Sequence, residues 1–107
     1  MTTDDAPPAP VCALCGRAER LTRHHLIPRA RHRNRRTRRQ FSLAELQSRV
    51  IPVCRPCHNH IHRTLTEKQL ERDYNTLDAL LAHPEIQRFT RWIAARPVGF
   101  KPKSPQR

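Results

Sequence analysis

Residues 54–62 read CRPCHNHIH, two cysteines and three histidines within nine positions. Pro56 suits the first turn of a helix, so a helix is predicted from about residue 56. On that helix His58 and His62 share a face, with Cβ atoms about 6 Å apart, a spacing at which two imidazoles can share one cation. His60, two residues from each, turns to another face. Cys54 and Cys57 repeat an earlier pair, Cys12 and Cys15, which Gly16 follows where a knuckle needs a tight turn. Four cysteines make the closed tetrahedral set that structural zinc prefers. The 38 residues between the pairs (16–53) exceed a simple finger hairpin. Zinc on Cys12, Cys15, Cys54 and Cys57 would therefore staple the start of the domain to its middle. The chain has 107 residues, 36% hydrophobic and 5% aromatic. That is lean for a core that must hold by itself, so a staple is expected.

Outward from the helix, two strands are predicted. RVIPVC (49–54) leads into the second knuckle, and RLTRHHLI (20–27) runs extended until Pro28 stops it. Adjacent strand residues face opposite ways, so His24 and His25 cannot do the same work. One of them, with His58 and His62, can hold a cation that keeps open positions. The other is free to take a proton, and a neutral imidazole is the natural base near neutral pH. The residues alone leave open which is which. Water deprotonated there could attack a phosphodiester, with the cation polarising a phosphate oxygen and stabilising the leaving one. Nearby arginines would offset the developing charge.

The formal net charge is +12, and arginines outnumber lysines 18 to three. A small protein this basic seeks a polyanion, most often nucleic acid, and the guanidinium fork suits phosphate oxygens. Seven arginines fall between residues 29 and 39 with no acid among them. Such a run repels itself and is expected to be loop-like without a partner. Arg23, Arg29, Arg31, Arg33, Arg35, Arg36, Arg38 and Arg39 are the predicted nucleic-acid contacts. Phosphate contacts position a protein without reading bases, so sequence selectivity should be weak.

Two capping-box patterns open helices, Ser42 with Glu45 (helix 43–48) and Thr66 with Gln69. Leu70, Tyr74, Leu77 and Leu81 follow at helical spacing as packing surface, with a break expected at 74–76. Pro84 opens a last helix with Ile86, Phe89 and Ile93 on one face and Trp92 flanking it. Residues 1–10 read as a disordered leader and 97–107 as a disordered basic tail. Between them lies one domain, 11–96, with a core at 12–63 and a helical extension at 66–96. No signal-like or membrane-spanning run is visible, so the expected setting is intracellular and cytoplasmic, where paired cysteines read as metal ligands rather than disulfides.

In CALCG, HHLIP and CRPCHNHIH, joined by the strand VIPV over roughly residues 12–63, the chain resembles the HNH endonuclease family. The resemblance implies an α+β fold, a small ββα-metal core stapled by the four-cysteine zinc and followed by C-terminal helices. It also implies roles. His24 binds the catalytic metal and His25 is the general base. His58 binds metal, and His62 completes the site as in the branch similar to nuclease colicins. The active-site cation would be Zn2+, Ni2+, Mn2+ or Mg2+, imidazoles favouring the first three. The implied activity is hydrolysis of DNA, with RNA as a further possible substrate. One position departs from the family, which usually carries an asparagine nine residues before the helical histidine to pin the loop that orients the base. Here that residue is Arg49. Gln47, Ser48 or Asn34 could take over in part, or a backbone carbonyl could orient the base. Arg49 favours the alternative, a non-catalytic zinc-dependent nucleic-acid-binding protein on a degenerate HNH frame.

Overall fold

The computed structural model describes residues 10–102. These residues form an α+β unit with a two-stranded sheet and six helices. β1 (Leu21–His25) pairs antiparallel with β2 (Val50–Cys54), in a register that sets Thr22 opposite Val53 and His24 opposite Ile51. Between the strands come a 3-10 turn (Arg29–Arg31), α1 (Arg35–Gln40) and α2 (Leu43–Ser48). After β2 follow α3 (Arg55–Thr64), α4 (Glu67–Asp73), α5 (Leu77–Ala82) and α6 (Pro84–Ala94).

Local chemistry starts most of these helices where the sequence says. Ser42–Glu45 and Thr66–Gln69 each form a complete capping box. Pro56 lies in the first turn of α3, and Pro84 in that of α6. α6 is further capped by His83, whose Nδ1 accepts from Glu85 N.

The arginine run corrects the expectation of a loop: residues 35–40 are helical. Asn34 caps α1, its side-chain oxygen accepting from Arg36 N and Thr37 N. The missing acid comes from far along the chain. Glu71, 7% exposed, accepts from Arg31 Nε at 2.6 Å and from Thr37 Oγ1 at 2.7 Å. Burial works to raise its pKa, but Arg31 and Thr37 outweigh that and hold the carboxyl below its usual range.

A second correction concerns phase. The chain breaks at 74–76, where Thr76 caps α5. The break restarts the helical repeat, so Leu80 is buried in the core while Leu81 is 37% exposed. Two apolar clusters flank α3. Leu26, Ile61, Leu65, Leu70, Leu80 and Ile86 form one. Val53 and Ile93 pack with Cys12, Cys54 and Cys57 in the other. Burying the six aliphatic side chains of the first cluster, and Val53 and Ile93 of the second, supplies about 1.5–3 kcal/mol per residue before chain entropy is subtracted.

The segment after α6 also differs from the disordered tail expected of it, as far as residue 102. Arg17 Nη1 donates to Pro97 O at 2.7 Å, Gly99 N donates to Glu19 Oε2 at 2.9 Å, and Phe100 packs against the cysteine cluster. Residues 103–107 and 1–9, the remainder of the expected tail and leader, lie outside the described residues.

Candidate functional site

Folding brings the two knuckles together. The Sγ atoms of Cys12, Cys15, Cys54 and Cys57 all lie within 4.8 Å of one another, and none is disulfide-bonded. Cys15 and Cys54 are 3.7 Å apart. A tetrahedron with metal–sulfur bonds of about 2.3 Å has edges of about 3.8 Å, so these sulfurs are positioned to bind a metal ion such as zinc. Each knuckle has a local cause. Gly16 adopts φ 81°, turning the chain so that Cys12 Sγ accepts from Cys15 N at 3.4 Å. Cys54 ends β2 and caps α3, which carries Cys57 one turn on. The sulfurs also compete for charge. Hydrogen bonding from Cys54 and Cys57 holds the Cys12 thiol far below the ordinary 9.0, and the same contact with Cys12 pushes Cys54 up to about 11. Four thiolates can coexist only beside positive charge. Arg17 adds some, its buried guanidinium standing 3.8 Å from Cys54 Sγ.

The second cluster lies between β1 and α3. Thr22 and His24 share one face of β1, and His58 and His62 one face of α3. One ring nitrogen from each of His24, His58 and His62 lies within 4.8 Å of the others. The His24 ring centroid is 5.3 Å from that of His58 and 5.4 Å from that of His62. His24 is fully buried, and both its ring nitrogens lack a hydrogen-bond partner among the described residues. Burial first, and then the neighbouring imidazoles, lower His24 to about 3; burial first also lowers His58 to about 4. All are neutral near pH 7, the form in which imidazole offers a lone pair.

Thr22 settles which nitrogen His58 offers. The Thr22 hydroxyl donates its one hydrogen to Val53 O at 2.8 Å and also lies 2.8 Å from His58 Nδ1. It must therefore accept from Nδ1–H, which leaves the Nε2 lone pair free. Sequence reading missed Thr22, although its place two residues before His24 on a strand puts it on the same face.

His25 points the other way, into an open hollow of about 1110 Å³ lined by Arg23, Arg29, Arg33 and Arg38, together with His32 and Gln47. The His32 ring lies 5.8 Å from His25, and its Nε2–H donates to Ile27 O at 2.8 Å. Burial, then His32, Arg29 and Arg23, lower the His25 pKa and keep it neutral. The other predicted arginines are elsewhere. Arg31 is spent on Glu71, Arg35 and Arg36 line a separate hollow beside Lys68 and Arg72, and Arg39 is exposed on α1. Arg49 sends its guanidinium to Asn75 O at 2.8 Å, while its carbonyl accepts from Leu26 N at 2.9 Å and extends the strand pairing past His25. Of the proposed stand-ins for the missing asparagine, Gln47 alone lines the His25 hollow. Asn34 caps α1, and Ser48 bonds back to Glu45 O.

Over 93 residues the chain is 33% identical to the uncharacterized protein YisB of Bacillus subtilis, an alignment covering 83% of this chain and 78% of that one. The chain belongs to the YisB family. No family model matches it, and no solved structure does. In this YisB-family member no helix among the described residues is long and apolar enough to cross a membrane.

Proposed function

We propose that this chain is a metal-dependent endonuclease of the HNH type, hydrolysing DNA phosphodiester bonds with low sequence specificity. The observation that carries the reading is the histidine cluster. His24 is fully buried with both ring nitrogens unpartnered, and it faces His58 and His62 across a gap that one ion would fill. An unpartnered buried nitrogen costs about 1–3 kcal/mol, a cost that a bound cation offsets. Three neutral imidazoles fit Zn2+, Ni2+ or Mn2+ better than Mg2+. When bound, such a cation would polarise a phosphate oxygen and stabilise the leaving oxygen.

The chain's own residues do the rest. His25, neutral and open to the hollow, accepts a proton from the attacking water. Arg23, Arg29, Arg33 and Arg38 grip the flanking phosphates and offset charge as it develops. His24 and His25 are adjacent on β1, so one strand residue faces the ion and the next faces the water. Cys54 and Cys57 would hold a structural metal ion together with Cys12 and Cys15, and that linkage would fix the N-terminus of α3 and so the direction of His58 and His62.

The test is nicking of a plasmid and of a gapped duplex with Mn2+, Ni2+, Mg2+ and Zn2+ after mild chelation. Nicking with at least one ion is expected, and none with any ion overturns the reading. Arg49 favours the second reading, a zinc-dependent nucleic-acid-binding protein without catalysis, because its side chain is committed to Asn75. That protein would bind DNA and never nick it.

A further inference from the structure

A second hollow, of about 690 Å³, shares no lining residue with the His25 groove. At about 100° per residue, Arg55, Asn59 and Arg63 form the stripe of α3 beside His58 and His62. They line the hollow together with Phe89, Phe100 and Lys101. Thr22 lines this hollow and also touches His58 Nδ1, so the hollow reaches the cluster itself. The segment that carries Phe100 and Lys101 is fastened by Arg17 on Pro97 O and by Gly99 N on Glu19. Glu19 also lines the hollow, but its carboxylate is spent on Arg17 at 2.8 Å and on Gly99. The charge left facing inward is therefore positive.

Basic walls around aromatic rings are what single-stranded nucleic acid binds, by phosphate contact and base stacking. Sites of about 300–1,000 Å³ hold one small molecule, so this one suits one or two unpaired nucleotides and excludes a duplex. We infer that this hollow is a subsite for unpaired nucleotides of the cleaved strand. The preferred substrate then carries a single-stranded segment, such as an overhang, flap or gap, next to the scissile phosphate. The inference rests on the nuclease reading for the bond that is cut, but not for the binding itself.

The experiment measures binding of a labelled oligothymidylate and of a labelled hairpin duplex to the full-length, zinc-loaded protein after mild chelation. Arg63→Ala with Lys101→Ala should weaken the single strand at least tenfold and the duplex less than twofold. Phe100→Leu keeps an apolar contact with Trp92 but removes the flat ring, and should weaken the single strand about tenfold. Should Phe100→Leu fold poorly, the exposed Arg63 and Lys101 still decide the matter. Equal losses for both probes, or no loss for either, overturn the subsite. A strand-selective loss supports it even where no ion gives nicking, which would sink the nuclease reading alone. Nicking of intact duplex at the rate of gapped duplex would overturn the subsite and leave the nuclease standing.

Discussion

Thr22→Val isolates the arrangement of the histidine cluster, because valine keeps the shape and removes only the hydroxyl. In the wild type that hydroxyl donates to Val53 O and accepts from His58 Nδ1, both at 2.8 Å. Without it His58 loses the contact that selects its tautomer, and Nδ1–H is left half-buried with no acceptor. Removing a partner of this kind typically costs 10–100-fold in metal affinity, or about 1.4–2.7 kcal/mol. The orphaned donor adds about 1–3 kcal/mol of lost stability, so the assay must run well below the unfolding midpoint. Competition of Co2+ or Ni2+ between the chelated protein and a chromogenic chelator reads affinity directly. Thr22→Ser keeps the hydroxyl and should bind within about threefold of wild type. His62→Ala removes a ligand outright and should lose more than Thr22→Val. Wild-type affinity in Thr22→Val refutes the tautomer argument. So does a Thr22→Ser protein as weak as Thr22→Val, since the effect would then follow side-chain volume rather than hydrogen bonding.

His25→Ala should lower plasmid nicking by about 10²–10⁴-fold while metal and DNA binding persist, and cleavage at the wild-type rate removes His25 as the base. Metal analysis should find two divalent ions per chain, one surviving mild chelation. Cys57→Ser should lose the resistant ion and unfold at lower temperature, whereas His58→Ala should lose the exchangeable ion alone. In protein stripped of exchangeable metal, folded His24 and His58 titrate near 3 and 4 against an ordinary 6.5. The unfolded chain therefore takes up protons first as pH falls. The stability is full above about 6.5 and is lost toward 3–4, so a urea midpoint unchanged between pH 7 and 5 would contradict the burial of these rings. Glu71→Gln should cost about 2–3 kcal/mol in denaturant unfolding, because Arg31 and Thr37 lose the carboxylate that holds them, Arg31 being partly solvated.

What was legible in the sequence was whatever local spacing decides. A two-residue gap between cysteines makes a knuckle, and a four-residue step on a helix aligns His58 with His62. A one-residue step on a strand separates His24 from His25. Two capping boxes opened α2 and α4 where the patterns stand. The failures share a cause, which is a partner distant in sequence. The pattern through Leu81 assumed that helical phase survives the break at 74–76, and Leu80 took the buried place because Thr76 starts a new helix. Arg17, Glu19 and the segment at 97–100 could not be joined from sequence, because 80 residues separate the groups that bond.

The arginine run carries the same lesson into function. Read alone, seven like charges favour extension, and all eight predicted arginines are equivalent phosphate contacts. One buried carboxylate breaks that equivalence. Glu71 neutralises Arg31 and holds Thr37 at the same time, so the segment folds into a turn and a helix instead of trailing as a loop. Helical geometry then distributes the charges. Arg29, Arg33 and Arg38 join Arg23 around His25, while Arg35 and Arg36 face a different hollow. On the nuclease reading, only the first group can act on the scissile phosphate, and the second can only add affinity. Removing Arg29 with Arg33 should therefore depress nicking more than DNA binding, and removing Arg35 with Arg36 should lower both only through binding. Measuring kcat and KM for the two double variants separates these cases, and equal effects on kcat would show that the fold does not sort the arginines by role.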